Sequence, residues 1–123
     1  MTSRFLMLCG ALILALGVAA GAFGAHGLKR LVTPDQLEVW RTAAHYQMIH
    51  GIGLLLIAAL WPRLAAAPGA LAGGLMLAGL VIFSGSLYAL VLTGVRALGA
   101  ITPVGGLLMI FSWLTLAWAA WRG

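Results

Sequence analysis

The feature that most constrains this chain is a set of four apolar runs, at about residues 5–25, 40–61, 70–92 and 102–121, each near the length of a bilayer crossing. Crossing a hydrocarbon layer of roughly 30 Å takes about 20 residues of α-helix, and in lipid every backbone N–H and C=O must find its partner within the protein. Four helices are therefore predicted, and with 123 residues in all, no soluble domain of any size remains. Composition points the same way: 63% of the residues are hydrophobic and 7% charged, whereas about a quarter are charged in soluble domains. Short connections make consecutive helices antiparallel neighbours. The expected fold class is thus all-α, an integral membrane four-helix bundle of up-down-up-down topology, forming a single domain over 1–123.

The first run, FLMLCGALILALGVAAGAFGA, follows Arg4 and ends in small residues, so a secretory signal peptide cut near AFGAHG is the rival reading. The run is longer than a signal core of about 7–15 residues, and further membrane segments follow it, which favours a retained span. The only polar connection of any length is 26–39, where Leu28, Leu31 and Val32 beside Lys29 and Arg30 suit a segment lying on the membrane surface. Within it, Thr33-Pro34-Asp35-Gln36 is a helix start, with Thr33 as N-cap, Pro34 in the first position, Gln36 closing a capping box and Asp35 near the positive end of the dipole. A helix from Pro34 to Leu60 would be about 40 Å long, which leaves its first two turns among the headgroups with Glu38 and Trp40 near the interface. Thr102-Pro103 is the expected start of the fourth helix.

The net charge of +5 does not describe a nucleic-acid surface, because its seven basic residues are scattered singly or as one pair. They serve better as anchors at the lipid headgroups, so the expected partner is the bilayer and no nucleic acid. The single Cys9 excludes an internal disulfide and a cysteine metal cluster. Gly17 with Gly21, and Gly74 with Ala78, have the spacing that lets membrane helices approach closely, within one chain or between copies in a homo-oligomer.

Alternation of direction gathers the polar residues at one end. His26, Arg41, Thr42, His45, Tyr46, Gln47, Ser84, Ser86, Tyr88, Thr93 and Thr102 fall on one side, with His50 deeper, while Arg4, Trp61, Arg63, Trp118, Trp121 and Arg122 form an anchor belt on the other. If Arg41 reaches the interface, His45 lies about 6 Å and His50 about 13 Å below it, near the midplane. At that depth ionisable groups face the protein interior and need partners there. The expected cluster comprises His26, Arg41, His45, Tyr46, Gln47, His50, Ser84, Ser86 and Tyr88, joined in a hydrogen-bond network between the second and third spans. Basic residues number four at the polar end (Lys29, Arg30, Arg41, Arg96) against three at the other (Arg4, Arg63, Arg122), so charge leaves the orientation open.

The blocks GAFGAHGL (21–28), TAAHYQMIHGIGLL (42–55), FSGSLYALVLTG (83–94) and LGAITPVGGLLMI (98–110) together resemble the YgdD-like family of small bacterial inner-membrane proteins, which is similar to the eukaryotic transmembrane protein 256. The resemblance covers nearly the whole chain. It implies a four-span, multi-pass protein of the bacterial inner (plasma) membrane, in a family of unassigned molecular function with no catalytic residues to transfer.

The first functional reading is that the polar cluster is structural, holding helices in register through satisfied buried hydrogen bonds. In that reading the protein is an accessory subunit or assembly factor of a larger membrane complex. The alternative is a metal, haem or small-ligand site built on His26 and His45 with a third group, His50 or Glu38. Spans three and four hold no histidine to complete a two-helix haem site. Transport is the third reading, since four spans in about a hundred residues resemble the small multidrug exporters. Those exporters rely on a carboxylate in the first span, and here the only acids, Asp35 and Glu38, precede the second. Nothing points to an enzyme: the chain has no nucleophile beside a base in a recognisable motif, no phosphate-binding loop and no HExxH.

Overall fold

A computed structural model describes all of residues 1–123. The chain is all-helical: α1 (Ser3–Ala25), a 3-10 turn at Leu28–Arg30, α2 (Pro34–Leu60), a second 3-10 turn at Trp61–Arg63, α3 (Ala66–Thr93) and α4 (Leu98–Arg122). All four α-helices are long and apolar enough to cross a membrane.

The start of α2 follows from its local sequence. Thr33 Oγ1 accepts from the Gln36 N–H at 3.2 Å, and Gln36 Oε1 accepts from the Thr33 N–H at 2.9 Å. With Pro34 in the first turn, this capping box satisfies two of the N–H groups that any helix leaves open.

The other starts lie earlier than their sequence signals. Helix α3 begins at Ala66 rather than near residue 70, with Pro68 in its first turn. Helix α4 begins at Leu98 rather than at Thr102, because Gly94 ends α3 with φ 73° and the chain re-enters a helix after three residues. Pro103 consequently lies inside α4. Lacking an N–H, it leaves the Gly99 carbonyl without its helical donor, a loss confined to the end of the helix.

The helices pack in chain order, α1 on α2, α2 on α3 and α3 on α4. Helix α2 is the most enclosed: half of its most apolar stretch is buried, against 17% for α1, 28% for α3 and 22% for α4. All four contribute to one core, formed by Leu6 from α1, Leu54, Ile57 and Ala58 from α2, Ala72, Met76 and Leu80 from α3, and Met109 from α4. Many of the other large apolar side chains, among them Leu8, Leu12 and Leu16, face outward, as lipid contact requires.

A smaller cluster of Leu28, Trp40 and Val91 closes the end where α1 leaves and α2 begins. Trp40, expected near the interface, is turned into the protein there. Trp40 is buried, and its indole N–H donates to the Ala20 carbonyl of α1 at 2.8 Å. Its ring meets Phe23 edge-on at 5.8 Å and Tyr88 at 4.5 Å. Gly24 makes room for it, since a Cβ there would stand 2.7 Å from the ring.

Close approach elsewhere does not follow the small-residue pairs read from the sequence. Gly17 is tight against Met48, but a Cβ on Gly21 would meet nothing within 4 Å, and Ala78 is exposed. The tightest crossing joins α3 to α4, where a Cβ on Gly105 would fall 2.5 Å from the Phe83 nitrogen and 2.7 Å from the Gly79 carbonyl oxygen. Such an overlap with backbone can be relieved only by separating the helices. Gly105→Ala is therefore expected to destabilise the bundle by about 1–3 kcal/mol, as overpacking does. Gly85→Ala, whose new Cβ meets nothing within 4 Å, is expected to be neutral or stabilising. Thermal unfolding of the two variants in mild detergent checks both.

Candidate functional site

The polar residues of the interior form a succession of bonds in which one helix donates to another. Because a helical carbonyl has a second lone pair, it can accept from a neighbour without giving up its own N–H partner. From α2, Trp40 donates to Ala20 of α1, and Gln47 Nε2 donates to the Ile13 carbonyl of α1 at 2.9 Å. From α3, Ser84 donates to the Ala43 carbonyl of α2 at 2.7 Å. From α4, Ser112 donates to the Ala72 carbonyl of α3 at 2.6 Å. Each adjacent pair of helices is thus tied by a side chain of the later helix to the backbone of the earlier one.

Two side-chain links add to these. Tyr88 of α3 donates its hydroxyl to Gln47 Oε1 at 2.5 Å, so Gln47 joins α1, α2 and α3 through one amide. His50 of α2 has both ring nitrogens engaged, Nδ1 with the Tyr46 carbonyl at 2.9 Å and Nε2 with the Trp113 indole N–H of α4 at 3.0 Å. The carbonyl can only accept and the indole can only donate, so the ring is the neutral tautomer with its hydrogen on Nδ1.

The residues singled out from the sequence separate into an inner and an outer group. Gln47, His50, Ser84 and Ser86 are buried, and Tyr88 is partly buried. Ser86, expected in the network with the second span, instead lies 2.6 Å from Thr102 of α4 and donates to the Phe83 carbonyl. Tyr46 lies at the rim, its ring 4.7 Å from Phe83 and stacked at 5.9 Å on His50. His26, Arg41 and His45 are exposed and take no part in the interhelical bonds. Position explains this: His26 caps the end of α1, while Arg41 and His45 lie one turn apart along an outward face of α2.

The convergence of His26, His45 and His50 that the alternative reading requires is therefore not found. No group of three His, Cys, Asp or Glu side chains is placed to hold a metal ion, and both nitrogens of His50 are already used. A metal or a haem iron would have to break one of these bonds to reach the ring. Trp40, Thr102 and Ser112 complete the interior, Trp113 reaches His50 from an exposed position on α4, and none of the four was among the sequence candidates. Only the hydroxyls carried a signal, as polar groups in apolar runs; the partnership of Trp113 with His50 spans 63 positions and has no local signature.

Four apolar helices whose interior polar groups bond to one another define a small multi-pass membrane protein. Residues 20–106 match the family described as "Protein of unknown function (DUF423)", and the chain belongs to it. It is 46% identical over 113 residues to UPF0382 membrane protein SH2409 of Staphylococcus haemolyticus, covering 92% of each chain. It is 44% identical over 118 residues to UPF0382 membrane protein YwdK of Bacillus subtilis, covering 95% of this chain and 96% of that one. These relatives are bacterial and named as membrane proteins, in keeping with a multi-pass protein in contact with the bilayer. No solved structure matches the chain.

Gln47 is the residue on which most of the network turns. Gln47→Leu leaves the Tyr88 hydroxyl without its acceptor and removes the continuous hydrogen-bonded link from α3 through α2 to α1, leaving the ring packing of Tyr88 on Trp40. A loss of about 1–2 kcal/mol is expected, in the range of membrane interhelical hydrogen bonds, with Tyr88→Phe costing less. In the double variant the two losses should be less than additive, measured by unfolding in detergent.

Proposed function

We propose that this protein is a non-catalytic accessory component of the bacterial membrane, a rigid four-span element of a larger membrane assembly, and that its interior polar cluster is structural. The observation that carries this reading is that no buried side-chain nitrogen or oxygen lacks a hydrogen-bond partner. A site for chemistry or for proton transfer keeps groups in reserve, free to take a substrate or change protonation state. Here the buried hydroxyls, the amide and the imidazole are spent on holding helices together.

The same observation speaks against the other readings. Transport through the bundle would need an ionisable relay, and the two carboxylates, Asp35 and Glu38, are both exposed at the start of α2. Metal or haem binding would need ligands that converge, whereas two of the three histidines are exposed. A family of unknown function brings no reaction with it, and the chain offers no nucleophile paired with a base. Kinship with the YgdD-like proteins and with the eukaryotic transmembrane protein 256 is supported by the four sequence blocks and belongs to this proposal. The two 3-10 turns and short loops place no domain between the helices, so contacts with a partner would run through the lipid-facing helices.

Two measurements test the proposal. His50→Leu and Trp113→Phe should each lower stability, with a coupling of about 0.5–2 kcal/mol between them; unchanged stability would contradict the structural role. Purification in a mild detergent, followed by mass spectrometry, should recover a stoichiometric membrane protein with the full chain. A monomer or homo-oligomer alone would contradict the accessory role.

A further inference from the structure

The side chains left out of the interior raise a separate question. Arg41 and His45 are exposed on α2, on the membrane-facing surface close to the headgroup end. A cation at the headgroup end of a span attracts an anionic group there. The only acid near it is Glu38, one turn nearer the water on the same helix, and α1, which packs beside it, contains no Asp or Glu. The whole end is basic, with Lys29, Arg30, Arg41 and Arg96 against Asp35 and Glu38.

Arg41 and His45 also border a groove between α1 and α2 of about 500 Å³, whose walls include Gly17 and Gly21 from α1 and Ala44 and Met48 from α2. Its small residues keep it open, and a Cβ on Gly21 would still meet nothing within 4 Å. From Arg41 to Met48 it descends about 10 Å along the helix. It is polar at the top and apolar below, in the same sense as the bilayer leaflet beside it. On the other side of the basic pair lies a polar hollow of about 330 Å³ formed by Glu38, Arg41, Thr42, His45 and Tyr46, which gives a headgroup room.

We infer that Arg41 and His45, with the groove below them, form a site for one anionic glycerophospholipid. The phosphate lies against the Arg41 guanidinium, whose planar fork matches two phosphate oxygens, with His45 one turn deeper as a second donor. One acyl chain runs down the groove past Gly21 and Gly17. The excess of basic residues at this end selects an anionic lipid over a zwitterionic one.

The test uses the full chain in mild detergent, incubated with an equimolar mixture of phosphatidylglycerol and phosphatidylcholine, with bound lipid counted by native mass spectrometry. One phosphatidylglycerol per chain is expected, in preference to phosphatidylcholine. The double variant Arg41→Gln, His45→Gln should retain about fivefold less, the loss that corresponds to roughly one basic contact at a membrane surface. Gly21→Leu, which fills the groove from an open position, should reduce retention similarly while leaving thermal unfolding unchanged. Wild-type retention by either variant, or equal binding of the two lipids, overturns the site. So does a lipid-free dimer that Gly21→Leu dissociates, since the groove would then hold a second copy of the chain.

Discussion

Everything in this bundle depends on one interaction, the hydrogen bond from a side chain of one helix to a backbone carbonyl of its neighbour. Lipid supplies no hydrophobic force between helices, because an acyl chain is as apolar as a leucine. Helices in that solvent are held by close packing and by polar contacts that lipid cannot replace. Trp40 to Ala20, Gln47 to Ile13, Ser84 to Ala43 and Ser112 to Ala72 supply such contacts at each successive pairing. They act together with the close crossing at Gly79 and Gly105, which brings the α3 and α4 backbones together.

This arrangement explains why α2 carries polar residues that look out of place in a membrane span. It packs against both α1 and α3 and is the most enclosed of the four helices, so it is the helix on which an inward polar group most readily finds a partner. Gln47 reaches both of its neighbours, and His50 reaches α4 through Trp113. The outward face of the same helix carries Arg41 and His45, which answer to the membrane surface. One helix thus holds two polar systems, one closed within the protein and one open to the bilayer.

Much of the architecture was legible in the sequence because the bilayer is a severe constraint. Run length and apolarity gave the helices and their order, and the Thr33-Pro34-Gln36 signal gave the start of α2 to the residue. Helices α3 and α4 begin about a turn before their apolar runs, and at α4 the Thr102-Pro103 signal falls inside a helix that has already begun. In the site, burial of Gln47, His50 and Ser84 followed from their depth. Their partners did not, because a backbone carbonyl leaves no trace in the choice of residue, and the Trp113 indole lies far along the chain. His26, Arg41 and His45 were grouped with them by height alone; which way each side chain faces depends on rotation about the helix axis. In a chain with apolar residues on every face, the pattern does not report that rotation.

The central claim, that the interior is a closed hydrogen-bond network, is tested most directly at His50. Nitrogen-15 solid-state NMR of the labelled ring, with the full chain in lipid bilayers at neutral pH, reports the state of both nitrogens. The expected result is a neutral ring protonated at Nδ1, with Nε2 accepting a hydrogen bond that Trp113→Phe abolishes. A charged ring, a hydrogen on Nε2, or a spectrum indifferent to Trp113→Phe would contradict it.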